Sequence, residues 1–178
     1  MLDDDQLKNL INLKSRRFVP YHDQDGINTL EGLDVLCKKY ITKDMVVVEM
    51  GYHWGVSASL FSQYAKTVHT IDKAALENYL TYRIPNVIFH YGIFKHVLKK
   101  IHHIYPEGVD LVYIDGYHSY SAACTDIELA LPIIKKTGYI AGHDYYMDDV
   151  AQAVTDKLSV KSETFPDTSW LVKIKDLA

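Results

Sequence analysis

The chain has 178 residues, enough for one domain with a substantial core and too few for two full domains. Apolar residues make up 48% and charged residues 24%, ordinary globular values, and the formal net charge of −4 gives no basic excess for general polyanion binding. Two widely separated cysteines, Cys37 and Cys124, form neither a CxxC pair nor a disulfide framework, so a reducing cytoplasm is the expected setting. The acidic start MLDDDQ lacks the basic and apolar regions of a secretion signal. No apolar run approaches the roughly 20 residues of a membrane span, so no membrane partner is expected. The lysine clusters (Lys95, Lys99, Lys100; Lys135, Lys136) read as solvated helix faces.

Residues 1–42 read as helical. Leu7, Leu10 and Ile11 share one face, and the irregular stretch FVPYHDQDG (18–26) follows. A second helix is expected from about Thr29, with Leu30, Leu33, Leu36, Cys37 and Tyr40 as its apolar stripe and Thr29 as its cap. From Met45 strands and helices alternate. MVVVEM (45–50) is a nearly continuous apolar run, as for a strand covered on both faces. A helix over Ser57–Lys66, the strand TVHTID (67–72), a short helix near Ala74–Thr81 and the strand NVIFHY (86–91) follow. Phe94, Val97, Leu98 and Ile101 mark a helix at i, i+3, i+4, i+7 spacing. VDLVYID (109–115) is a fourth strand, Ile127, Ala130, Leu131 and Ile134 mark a long helix, and GYIAGHD (138–144) is a fifth strand. Val150, Val154 and Leu158 mark a last helix before two strands, SVKSETF (159–165) and SWLVKIK (169–175). The alternation predicts a doubly wound α/β sandwich with a mostly parallel sheet, and the short link at 166–168 predicts an antiparallel hairpin at its end.

In such sheets ligands bind beyond the carboxyl ends of the strands, near the switch in strand order. Polar residues at those ends are therefore the candidates. Strand one runs into EMGYHWGVS (49–57), where Gly51 and Gly55 flank a turn into a helix whose N–H groups are free to bind a ligand. The spacing is neither the GxGxxG of dinucleotide folds nor a P-loop. Asp72 ends strand two, about twenty residues after Gly51, where an acid can accept hydrogen bonds from both hydroxyls of a ribose. A plain cap before Ala74 is the alternative.

Three blocks then carry a resemblance: VVVEMGYHWGVS, the acid of TIDK, and VDLVYIDGYHSYSAACTDIELALPIIKKTGYIAGHDY with the closing strand pair. Over about residues 30–175 the chain resembles the class I S-adenosylmethionine-dependent methyltransferases. It is most similar to the small O-methyltransferase and cephalosporin hydroxylase-like group with an IDGxHxY…GHDY pattern. The resemblance implies a Rossmann-like, seven-stranded sheet with an antiparallel last strand. It also implies one domain over 1–178, with 1–42 as helical segment and lid and 43–178 as cofactor-binding core. In it Glu49, Gly51, Tyr52, Gly55 and Ser57 belong to the methionine-binding loop, Asp72 binds the ribose, Gly92 and Ile93 lie beside the adenine, and Asp115 sits under the sulfonium. Tyr21 and His22 fall where relatives fold a lid. The chain departs from the pattern at bulky Tyr52-His53-Trp54, at Thr137-Gly138 in place of paired glycines, and at Tyr91-Gly92-Ile93-Phe94, which lacks the usual acid.

Asp115 and His118 leave strand four, while His143 and Asp144 leave the neighbouring strand five, so the four can share one site. Two designs fit. A divalent ion, Mg2+ or another metal, bridges Asp115, Asp144 and His143 while His118 acts as general base; or no metal binds and His118 or His143 is the base. Oxygen-rich ligands suit Mg2+, and an imidazole suits a transition metal. Tyr117, Tyr120, Tyr145 and Tyr146 form either an aromatic wall for the acceptor or ordinary packing. His69 and His90 read as core or sheet-edge residues, His96, His102 and His103 as surface residues, and His53 as a residue of the cofactor loop.

The leading expectation is O-methylation of a small hydroxylated molecule or sugar. The alternatives are a metal-dependent oxidative or hydrolytic enzyme and a non-catalytic binding subunit on the same fold. Base methylation of nucleic acid is not expected, since strand four ends in IDGY without an NPPY-type or PC-type motif. A homodimer is compatible with the sequence and is not demanded by it.

Overall fold

A computed structural model describes residues 30–52, 55–74 and 84–177. The expected helix around Leu7–Ile11, the segment 18–26 with Tyr21 and His22, the cap at Thr29, His53 and Trp54, and most of the short helix at 74–81 lie outside the described residues. The elements are α1 (Leu30–Tyr40), β1 (Val46–Met50), α2 (Val56–Tyr64), β2 (Thr67–Asp72), β3 (Val87–Tyr91) and α3 (Phe94–Ile104). They continue with β4 (Val109–Ile114), α4 (Tyr120–Ala130), β5 (Ile134–Gly142), α5 (Asp148–Leu158), β6 (Glu163–Thr164) and β7 (Trp170–Lys173).

The seven strands form one sheet in the order β3-β2-β1-β4-β5-β7-β6. β1 to β5 pair in parallel, and β7 runs antiparallel to both β5 and β6. The expected doubly wound sandwich with its closing hairpin is thus present. Successive residues of β1 face opposite sides of the sheet. Val46, Val48 and Met50 join a core with Ile101, Ile127 and Val154 of α3, α4 and α5. Val47 joins the other core, with Leu36 of α1 and Phe61 of α2. Both faces are covered, so the strand needs apolar side chains at almost every position.

Asp110, the one acid inside the β4 run, is explained by its place at the strand's start. Its Oδ2 accepts from the Val46 amide at 2.8 Å, and its Oδ1 accepts from Lys135 Nζ at 2.6 Å. The helix expected to run through Ile134 stops at Ala130, and Leu131–Ile133 form a single 3-10 turn. Pro132 removes an amide donor and Ile134 is extended, so Ile134 begins β5 instead. The sixth strand is shorter than expected. Ser159 ends α5 in a left-handed conformation, and only Glu163 and Thr164 pair with β7. β7 ends at Lys173, and Ile174–Asp176 turn into a 3-10 segment. Among the described residues no helix is long and apolar enough to cross a membrane.

The strand order reverses between β1 and β4, so the crevice opens at their carboxyl ends. There the backbone is tightly joined. The Asp115 amide donates to Met50 O at 2.8 Å, and the Gly51 amide donates to Ile71 O at 3.0 Å.

Candidate active site

Gly51 follows β1 with φ +105°, a conformation that disfavours any residue with a side chain. A Cβ at this position would lie 1.9 Å from the Asp115 carbonyl oxygen. The loop therefore lies flat against the end of β4. Asp72 fixes the loop from the other side: its Oδ2 accepts from the Tyr52 amide at 3.0 Å and its Oδ1 accepts from the Ala74 amide at 2.8 Å. The cap expected before Ala74 is present, and Asp72 also faces the crevice, where a ligand acid was expected.

The crevice is a cavity of about 600 Å³. Gly51, Asp72, Gly92, Ile93, Asp115 and His118 line it, all of them residues singled out above. The side chains of Glu49, Tyr52 and Ser57 do not, and neither does Gly55. Glu49 is fully buried under the loop, where Ser57 Oγ and Thr70 Oγ1 donate to its two oxygens. Burial pushes its carboxyl up to about 8 against those hydrogen bonds. The Tyr52 ring packs on Phe89 with centroids 4.9 Å apart and fills the space that a side chain at Gly55 would need. These four residues shape the loop from behind.

One wall carries an ionic cluster. His118 Nε2 lies 2.7 Å from Asp144 Oδ2 and 3.9 Å from Asp115 Oδ1. His143 Nδ1 lies 3.3 Å from Asp144 Oδ1, and its Nε2 lies 3.9 Å from Asp167 Oδ2. Asp144 takes φ +59°, a left-handed conformation that Asp tolerates better than most residues, and this aims its carboxylate between the two imidazoles. Asp115 and Asp144 push His118 up to about 10. For His143 burial works the other way, but Asp144, Asp115 and Asp167 outweigh it and raise the imidazole to about 9. Burial likewise opposes ionisation of Asp144, yet hydrogen bonds from the two histidines hold it well below the usual carboxylate range.

The grouping differs from the expected one. Asp115, His118 and Asp144 have donor atoms within 4.8 Å of one another, and His143 is not in that trio. His118, expected as a general base, is ion-paired with Asp144, which holds its proton more tightly than a free imidazole would. His143 lies on the inner side of Asp144, toward a buried string of polar groups. In that string Ser169 Oγ donates to Asp167 at 2.7 Å and lies 2.8 Å from the Tyr113 hydroxyl.

Of the four tyrosines only Tyr117 lines the cavity, exposed at 71% with the Lys73 ammonium 4.9 Å from its ring centre. Tyr120 turns its hydroxyl to Asp156 at 2.9 Å. His69 is buried between His90 and Tyr105, at 2.8 and 3.0 Å, as a sheet residue. The sequence reading missed Lys73, Phe94, Asp126 and Asp167. Asp126 had a signal: it falls between Ala122 and Leu129 at i, i+4, i+7, a row that faces the cavity. Asp167 lay in the hairpin link and gave no such signal.

A family model described as a methyltransferase domain matches residues 48–145. The uncharacterized protein R132 of Acanthamoeba polyphaga mimivirus is 28% identical over 126 residues, a match covering 64% of this chain. The chain spans 57% of the length of that relative. Among solved structures, an O-methyltransferase from Bacillus cereus in complex with SAH superposes with a TM-score of 0.65 at 15% identity, over 95% of this chain and 90% of the other. The TDP-rhamnose 3'-O-methyltransferase of calicheamicin biosynthesis gives 0.64 at 14% identity, over 97% and 93%. The mycinamycin-pathway methyltransferase MycE, in complex with Mg, SAH and mycinamycin VI, gives 0.65 at 15%, over 95% of this chain and 56% of the other. These likenesses establish a shared fold, and with the family match across more than half of its length the chain belongs to the methyltransferase domain family.

Proposed function

We propose that this methyltransferase-family protein transfers the methyl group of S-adenosylmethionine to a hydroxyl of a small molecule or sugar. The observation that carries the reading is the cavity at the β1/β4 switch point, with Asp72, Asp115 and His118 in its wall and Asp144 paired to His118 behind it. A flat glycine loop beside an acid at the end of β2 suits an amino-acid nucleoside, with Asp72 accepting from the ribose hydroxyls. The acceptor is read as a small polyol because His118 and the exposed Tyr117 ring line the cavity together, and a TDP-rhamnose 3'-O-methyltransferase shares the fold.

Methyl transfer is an in-line displacement at a sulfonium carbon, and its main demand on a protein is alignment and exclusion of water. Asp115 lies at the joint of both halves, with its amide tied to β1 and its side chain toward His118. The donor set of Asp115, His118 and Asp144 fits a divalent cation, and one imidazole with two carboxylates favours a transition metal such as Mn2+ over Mg2+. Such an ion, when bound, would lower the pKa of an acceptor hydroxyl. His143 sits behind this group and keeps Asp144 ionised and oriented. Until a ligand displaces its proton, His118 holds it too tightly to serve as an efficient base near neutrality.

The test is isothermal calorimetry with SAH at millimolar concentration, followed by methyl-transfer assays on nucleotide sugars and other small polyols with Mn2+, Mg2+ or EDTA. Measurable SAH affinity in the wild type, lost in Asp72→Ala, is the expected result. No heat of binding with folded wild-type protein would end this reading.

A further inference from the structure

The cavity continues past the ionic cluster into a cleft between the start of α3 and the inner face of α4. Ile93, Phe94, Ala122 and Leu129 give it apolar walls, as a flat aromatic base requires. One ionisable side chain, Asp126, enters from the α4 side. Asp126 is only 7% exposed, and its carboxylate has no hydrogen-bond or ion-pair partner among the described residues. Such a group is costly to bury and in native proteins is nearly always satisfied. The lysines that share the cavity wall, Lys73 and Lys95, are exposed at its rim. Gly116 explains how the carboxylate reaches the cavity. A Cβ on residue 116 would stand 2.8 Å from Asp126 Oδ2 and 3.2 Å from the Phe94 ring, so any side chain there would displace one of them. The loop after β3, Gly92-Ile93-Phe94, offers no acid of its own.

We propose that Asp126 is the group that reads the nucleobase: its carboxylate accepts a hydrogen bond from the exocyclic amino group of adenine held between Ile93, Phe94 and Leu129. This rests on the S-adenosylmethionine reading above and adds the source of base specificity. An ionised carboxylate is acceptor-only, so it favours a 6-amino purine and repels a 6-oxo purine, which presents an oxygen at the same place. Burial raises the carboxyl to about 6, which still leaves it mostly ionised at neutral pH. Binding of the amino group gives the carboxylate a hydrogen-bond partner that none of the described residues supplies.

The experiment compares two probes by calorimetry, S-adenosylhomocysteine and S-inosylhomocysteine, on wild type, Asp126→Asn and Asp126→Ala. Wild type is expected to prefer the adenosyl probe by roughly ten- to hundredfold, the range for a hydrogen bond to a charged group. The near-isosteric Asp126→Asn, which can donate to the 6-oxo group, is expected to lose or invert that preference, and Asp126→Ala to flatten it. Wild-type ratios near one overturn the proposal without any need for a folded variant. A folded Asp126→Asn that keeps the wild-type ratio overturns it as well, while leaving the cofactor reading in place. If wild type binds neither probe, the cofactor reading fails and this inference with it.

Discussion

Replacing Glu49 by Gln isolates the energetics of the buried acid beneath the loop after β1. Glu49 is fully buried, and burial raises its carboxyl from 4.5 to about 8. A folded-state pKa above the unfolded one means that the native protein binds the extra proton. The stability this contributes is therefore fully present below about pH 4.5 and is lost as pH rises toward about pH 8. At about 1.4 kcal/mol per pH unit, the loss between roughly pH 5 and pH 7.5 is about 3 kcal/mol. Gln keeps the shape and can still bond Ser57 and Thr70, but it does not titrate. The two imidazoles raised by their carboxylate neighbours also bind extra protons in the folded state, so the total pH slope is not diagnostic. The difference between Glu49→Gln and wild type is. Urea denaturation of both proteins at the two pH values should show that difference shifting by about 3 kcal/mol in favour of Gln, or about 6–12 °C in Tm. A difference that stays constant across that range would refute the reasoning.

Three further outcomes are expected. Gly51→Ala places a Cβ 1.9 Å from the Asp115 carbonyl at a left-handed φ, so it should cost about 3 kcal/mol or more in a thermal melt and weaken SAH binding in calorimetry. His118→Ala and Asp144→Ala should lower methyl-transfer turnover by roughly a hundredfold or more with little change in SAH affinity, since the proposed function assigns His118, and the Asp144 paired with it, to the acceptor; a parallel loss of SAH binding would move these residues to the cofactor side. Trp170→Ala, which empties the largest fully buried side chain at the β7 pairing with β5, should destabilise by about 3–5 kcal/mol in chemical denaturation.

The sheet was legible in the sequence because its strands are buried on both faces and so read as apolar runs that no exposed segment would carry. The expected runs at β1 to β4 match the observed strands to within a residue at each end. The edge was less legible. β6 pairs through only Glu163 and Thr164, and Glu163 is held by Lys39 and Tyr40 of α1, a contact no local pattern announces. At the site, sequence position located the residues at strand ends but not the direction of their side chains. Glu49 and Gly51 are two residues apart, yet one carboxyl is sealed under the loop while the other residue faces the cavity. The two histidines were legible as a pair, but their contacts with opposite oxygens of Asp144 depend on its left-handed turn, which the sequence does not encode in any periodic way. Asp126 shares a helical row with Ala122 and Leu129, but only the fold shows that this row faces the cavity rather than solvent.

The contact of Gly51 with the Asp115 carbonyl has a mechanical consequence. The glycine loop after β1 and the first residue after β4 share one backbone joint, held by the Asp115 amide on Met50. Neither can be shifted without shifting the other, so on the proposed reading the spacing between methyl donor and receiving oxygen depends on how β1 and β4 are joined. Redesign for a different acceptor has its freedom elsewhere, at the exposed Tyr117 and at the Lys73 that rests on it, where the wall of the cavity is not part of that joint.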